Sequence, residues 1–361
     1  MVANIQVLRN FAAMVVVWHH LQQHLVVYLG AKIDTWFGVS GVDVFFVISG
    51  FIMFYTTRGF KRSTGAFWLD RAIRIVPLYW LATWMLAALF FMGFQPTGVF
   101  ALDTGDLASA MVFWPDVRAD GYPSPPLTVG WTLIYEMFFY LLFGLTFFMK
   151  SHWKSLAVLT AAFAGLWICQ RLFAPWPYAA NFISRPITLE FAAGGLLGIL
   201  YGRVKLPRPA IAIPLGYVMI LGGIGAILAA DFTFHDRLNP PGDLRAVTLG
   251  VPSFFIVAGA LMLESSGHVW RSKTLILLGG ASYALYLFHP LITQALVKVS
   301  GMAFEARGPL VDVAVAVSAF AVTTFICVAI HLWVEKPLQQ AFKSLTSRRP
   351  KPVEARDGAA A

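Results

Sequence analysis

In this sequence, Arg9 is followed after ten residues by His20. Eleven residues are close to three helical turns, so on one helix both side chains share a face, about 16 Å apart along the axis. His19 points about 80° away, and His24 lies one turn beyond His20 on nearly the same face. A guanidinium at one end and an imidazole at the other offer an anion site and a proton acceptor on one track. Further ionisable residues interrupt other apolar runs: Asp43, Glu136, Glu190, His289 and His331. Such groups are costly at membrane depth and are functional candidates by default. A metal between His20 and His24 lacks an accompanying Cys or Glu shell, so no metal site is expected.

The runs that carry these residues dominate the chain. Of 361 residues, 58% are hydrophobic and 12% charged, and the mean hydropathy is +0.70. That excludes a soluble globular enzyme, a disordered protein and a secreted disulfide scaffold. The net charge of +9 fits loops that set membrane topology better than nucleic-acid binding. Cys169 and Cys327 lie in apolar stretches and imply no disulfide framework. Runs of about 20 apolar residues predict an all-α polytopic membrane bundle of about ten spans: 5–29, 36–57, 75–94, 127–149, 155–173, 186–201, 210–230, 246–263, 275–299 and 310–334. The sixth is short, and Phe182 and Ile183 could extend it. The first run reads as a span and not as a removable leader.

Basic residues orient the bundle. Arg58, Lys61, Arg62, Arg71 and Arg74 follow span 2, and alternate loops carry Lys150 and Lys154; Arg203, Lys205 and Arg208; Arg271 and Lys273; and the tail from Lys336 to Arg356. The opposite loops carry fewer: Lys32, Arg118, Arg171, Arg185, Arg237, Arg245, Lys298 and Arg307. Both termini are therefore expected in the cytoplasm. Counting from the span ends places His20, Asp43, Glu136 and His289 in one layer, roughly 10–15 Å from the outer surface. Gly41, Ser49 and Gly50 have a simpler reading as helix-packing residues. The longest outer connection, 95–126, is too short for a separate domain, and Leu107 to Trp114 within it reads as an amphipathic piece. Residues 1–344 form one membrane domain, and 345–361 read as a disordered tail.

Several segments resemble the membrane-bound acyltransferase 3 family. "IQVLRNFAAMVVVWHH" resembles its opening signature, "GVSGVDVFFVISGFIM" its second motif, and "FWLDRAIRIVPLYW" its third. "VGWTLIYEMFFY" is similar to a Trp-Ser-Leu…Glu motif with Thr132 in place of Ser; "GGASYALYLFHPLI" and "VEKPL" match later ones. The compact form is most similar to the exopolysaccharide O-acetyltransferase subgroup. The resemblance implies transfer of an acyl group, usually acetyl from acetyl-CoA, to a carbohydrate hydroxyl at a bacterial inner membrane, on a surface polysaccharide or its lipid-linked precursor. Acetyl-CoA is then a donor substrate and not a bound cofactor, and a polysaccharide-biosynthesis complex is a potential partner. Under that reading Arg9, Arg71 and Arg74 hold the anionic donor. His20 acts as general base or as a nucleophile passing the acyl group on, with the base preferred. Glu136 orients the imidazole and stabilises its charged form. Asp43, Tyr286 and His289 are candidates for the acceptor or the carbonyl oxygen. The rival reading is a transporter or flippase for a lipid-linked sugar, which would also use a buried polar layer.

Overall fold

The computed structural model describes residues 2–33, 35–60, 62–234, 243–303 and 308–347. Among them the regular structure is helical. Helix α1 (Ala3–Leu29) contains neither Gly nor Pro and runs unbroken until Gly30, whose φ of 68° turns the chain. Then come α2 (Ser40–Thr56), α3 (Thr64–Phe91), α4 (Thr104–Met111), α5 (Trp131–Leu145) and α6 (His152–Phe173). Short α7 (Tyr178–Ile183) precedes α8 (Leu189–Leu200) and α9 (Pro209–Phe234). Next, α10 (Asp243–Arg245) runs through a π-turn into α11 (Val251–Ser265), followed by α12 (Lys273–Gly280) and α13 (Ser282–Ala303). Finally, α14 (Pro309–Ile330) passes through a second π-turn, His331–Glu335, into α15 (Lys336–Ser347). Local chemistry sets several starts: the Ser63, Ser151 and Ser272 side chains accept from Ala66, Lys154 and Leu275 backbone N–H groups.

Among the described residues seven helices are long and apolar enough to cross a membrane, and eight if α12 and α13, bent by 68°, count as one span. The ten-span reading differs at two places. Helix α1 is 27 residues long but carries the polar residues on which the sequence argument began, and Pro186–Leu200 is a shorter apolar helix. The expected continuation through Phe182 and Ile183 is absent, because the chain breaks at Ser184–Arg185 before Pro186. The amphipathic piece expected at Leu107–Trp114 begins earlier, at Thr104, where Asp103 and Asp106 form a reciprocal capping box. It ends earlier too, before Phe113 at φ 57°. Residues 345–347 belong to α15, whereas 348–361 lie outside the described residues, as do Lys61, Arg237 and Arg307 of the charge argument.

Helix α1 packs against α2, α12 and α13, and α2 lies along α8. The α2–α8 approach is backbone to backbone: a Cβ on Gly50 would strike the Phe191 carbonyl, and one on Gly194 the Val47 carbonyl. Gly41 likewise faces the Ala12 carbonyl of α1, so both glycines read as packing residues hold that place. An aromatic core joins α2, α5 and α8, with Phe191 stacked on Phe46 at 4.5 Å and on Phe139 at 4.6 Å between centroids. This packing brings the polar residues of α1, α2, α3, α5 and α13 to two interior cavities.

Candidate active site

The smaller cavity, about 80 Å³, is lined by Arg9, Ser49, Arg71, Arg74, Glu136, Tyr140 and Tyr283 among others. The larger, about 580 Å³, lies beneath the 95–126 connection and is lined by His19, His20, His24, Arg185, Arg245 and Gln294 with rim residues Thr97, Gly98 and Tyr122 to Ser124. Val42 and Tyr286 line both. Helix α1 thus delivers its guanidinium to one cavity and its imidazole to the other, as the eleven-residue offset requires. Arg9 is 8% exposed, deeper than a surface charge.

The protonation pattern of the imidazoles follows from their partners. His289 Nδ1 lies 2.9 Å from the Leu285 carbonyl oxygen, so it carries the hydrogen. Its Nε2 is then an acceptor, 3.1 Å from His20 Nδ1. His20 Nδ1 also lies 3.1 Å from the Val16 carbonyl oxygen. Both neighbours are acceptors, so the His20 hydrogen sits on Nδ1 and the lone pair on Nε2. His24 Nδ1 lies 3.0 Å from Thr293 Oγ1, which itself donates to the His289 carbonyl at 2.7 Å. His24 therefore donates as well. The result is an imidazole pair with Nε2 left as the basic atom of His20, a ring that lines the larger cavity.

Glu136 does not meet His20. Its carboxylate accepts from Ser49 Oγ at 2.9 Å and from the Tyr140 hydroxyl, and it faces the three guanidiniums of the smaller cavity. The orienting partner of His20 is His289. Ser49, read as a packing residue, is instead a ligand of Glu136. Three guanidiniums line the smaller cavity with one carboxylate, and even with Glu335 acting on Arg9 from behind the wall the positive charge is in surplus. Arg9 donates to Gln6 Oε1 at 3.2 Å, and the buried Nε of Arg71 has no hydrogen-bond partner. An anionic ligand fits that donor set.

Asp43 is engaged by a cation that the sequence reading did not pair with it. It is fully buried and grips Arg245, with Nε–Oδ1 at 3.1 Å and Nη2–Oδ2 at 2.7 Å. Arg245 also donates to the Val39 carbonyl at 3.0 Å and lies over the Trp131 ring. Glu190 sits beside this pair, with neither oxygen hydrogen-bonded. Tyr286 donates to the Val129 carbonyl at 3.0 Å and contacts Thr132 Oγ1 at 2.8 Å. The polar atoms of Asp43, Tyr286 and His289 are therefore already engaged, and the three form walls and supports. Arg245 was missed as a site residue because it stands at the edge of an apolar run and reads as a loop charge. Its signal was Asp43 itself, since a buried carboxylate needs a cation.

The rim of the larger cavity is held by one buried ion pair. Arg118 meets Asp120 at 2.8 Å, and the two side chains are 2% and 4% exposed. Arg118 also donates to the Gly98 and Pro125 carbonyls, and Asp120 accepts from the Phe100 and Tyr122 backbone N–H groups. Burial alone would raise the Asp120 carboxyl, but the Arg118 bond and those two N–H donors outweigh it and hold it at about 2. Gln294 ties the connection down from the other side, accepting from Thr97 N–H and donating to the Gln95 carbonyl.

The acyltransferase 3 family, an acyltransferase domain, matches residues 2–332. The chain belongs to this family. Consistent with that, it is a multi-pass helical membrane protein. It is also similar to the exopolysaccharide production protein ExoZ of Rhizobium meliloti (strain 1021), at 34% identity over 274 residues, which is 75% of this chain and 80% of the relative. No solved structure matches. This acyltransferase therefore places the Arg9 and His20 of its opening signature in two adjoining cavities.

Proposed function

We propose that this acyltransferase moves an acetyl group from acetyl-CoA to a hydroxyl of an exopolysaccharide or its lipid-linked precursor. The observation that carries the reading is the pair of cavities sharing Val42 and Tyr286, one rich in guanidiniums and the other holding the unprotonated nitrogen of His20. The ExoZ relative, by its name, supplies the exopolysaccharide. The smaller cavity is too small for a whole nucleotide. Arg9, Arg71 and Arg74 hold donor phosphate there by charge-assisted hydrogen bonds, and Glu136 positions the cations. The thin pantetheine arm extends along α1 past Val42 and Tyr286. His20 Nε2 takes the proton of the acceptor hydroxyl as its oxygen attacks the thioester carbon. The carbon–sulfur bond breaks, and the leaving thiolate recovers the proton. His289 accepts the strengthened Nδ1–H bond of the transient imidazolium, the role first read for Glu136. The basic-loop asymmetry supports an orientation in which the arginine cavity and both termini face the cytoplasm at a bacterial inner membrane, where the donor is made.

Membranes carrying the protein are incubated with acetyl-labelled CoA and the glycan is recovered. Label enters the glycan with the native chain and not with His20→Ala present at equal abundance. Glycan translocation without label would instead establish the transporter reading. Label trapped on the protein before acceptor is added would replace the base by an acyl-histidine.

A further inference from the structure

We propose that the acceptor held in the larger cavity carries an acidic group, a carboxylate or a phosphate, and that Arg185 recognises it. This rests on the acyl-transfer reading for the identity of the ligand, and on the following observations for its charge. Among the described residues the wall of the larger cavity contains no Asp or Glu; its ionisable side chains are histidines, tyrosines, Arg185 and Arg245. Arg245 is neutralised by its two bonds to Asp43. Arg185 has no carboxylate partner among the described residues. Its guanidinium lies 5.3 Å from the Phe182 ring centroid and beside the Tyr135 hydroxyl.

The position is built. Arg185 occupies the break between α7 and Pro186, where Arg185 N–H donates to the Phe182 carbonyl, and the Arg185 carbonyl accepts from Thr188 N–H at 3.2 Å and Thr188 Oγ1 at 3.0 Å. Tyr135 in turn donates to the Phe182 carbonyl at 2.6 Å, fixing the ring beneath the cation. A guanidinium lying over a ring keeps its N–H edge free for a bidentate oxyanion. A half-buried cation without a countercharge is unfavourable until a ligand supplies one. A neutral glycan could accept hydrogen bonds from the guanidinium but would leave its buried charge unopposed. The shared chemistry is an oxyanion, supplied either by an acidic sugar or by the diphosphate that links a glycan to its lipid carrier.

The test uses the full chain in lipid nanodiscs and fluorescent glycans: an acidic oligosaccharide, the same oligosaccharide with its carboxylates reduced to alcohols, and a neutral oligosaccharide free or on a polyprenyl diphosphate. The native protein is expected to bind one anionic probe roughly tenfold to a hundredfold more tightly than its neutral counterpart. Arg185→Gln removes that preference and Arg185→Lys keeps part of it, with equal melting midpoints showing that both fold. Loss on carboxyl reduction assigns the acidic sugar, and tight binding of the diphosphate-linked neutral glycan assigns the carrier; either supports the proposal. Equal binding of charged and neutral probes by the native chain, or an unchanged preference in Arg185→Gln, overturns it. The same glycans are then offered with labelled acetyl-CoA. Charge-selective binding without transfer removes the acyl-transfer reading alone, and transfer without charge selectivity removes this one alone.

Discussion

The imidazole pair makes a quantitative demand on catalysis. In the resting state the His20–His289 bond is a neutral hydrogen bond, worth about 1 kcal/mol net. When His20 Nε2 takes a proton, its Nδ1–H donates from a cation, and such bonds are worth about 1.5–3 kcal/mol. The gain on reaching the transition state is thus about 0.5–2 kcal/mol. The Val16 carbonyl, also 3.1 Å from Nδ1, recovers part of the loss if His289 is removed. At about 1.4 kcal/mol per tenfold, His289→Ala should lower kcat by a factor of roughly 2 and at most about 30, with the KM for the donor unchanged. His289→Gln, whose amide oxygen can accept the same bond, should lose less. His20→Ala should cost on the order of 10²–10⁴. Adding His289→Ala to it should cost little more, since the second residue acts through the first. Initial rates of labelled acetyl transfer by purified protein, corrected for folded fraction, measure all four. An equal further loss from His289→Ala in the His20→Ala background would refute the pairing as the source of the effect.

Three other outcomes follow from the same geometry. Arg9→Ala and Arg71→Ala should raise the KM for acetyl-CoA about tenfold or more while leaving that for an acetyl thioester of pantetheine unchanged, because only the first carries the nucleotide phosphates. Arg245→Met strands Asp43 beside Glu190 with no cation and should cost about 3–5 kcal/mol, whereas Asp43→Asn leaves Glu190 to oppose Arg245 and should cost less; melting midpoints in detergent check the order. The folded pKa of about 2 at Asp120 lies below its ordinary value of 3.8. Its stabilisation of the rim is therefore full above about pH 4 and lost as pH falls towards 2. Proteolysis of the 95–126 connection should rise across that interval in the native chain, and the step should vanish in Asp120→Asn.

The apolar runs that became α2, α3, α5, α6, α9 and α14 were legible because a lipid-spanning helix must announce itself through about 20 apolar residues. The Arg9–His20 relation was legible for a similar reason, since both lie on one uninterrupted helix. Glu136 and His289 could not be told apart, because depth counted from span ends fixes height but not the direction in which a helix face points. The joint of α12 and α13 at Ala281 and the π-turns at Ala246–Gly250 and His331–Glu335 rotate side chains in ways no apolar period reports. The second of these sets His331 against Glu335 at 2.7 Å. Arg245 was hidden by its position at the start of such a turn, and its match with Asp43 is a contact across 202 positions of chain.

The partition made by Val42 and Tyr286 has a meaning for the membrane as well as for the reaction. Val42 and Tyr286 belong to the walls of both the arginine and the histidine chamber, and the Tyr286 hydroxyl is fastened to α5 and the turn before it. On the proposed route, the slender thioester arm passes between these two side chains. Under the proposed acetyl transfer, the donor arm would itself stopper that route, so that the bilayer stays sealed to ions and metabolites while the acyl group is handed from one chamber to the other.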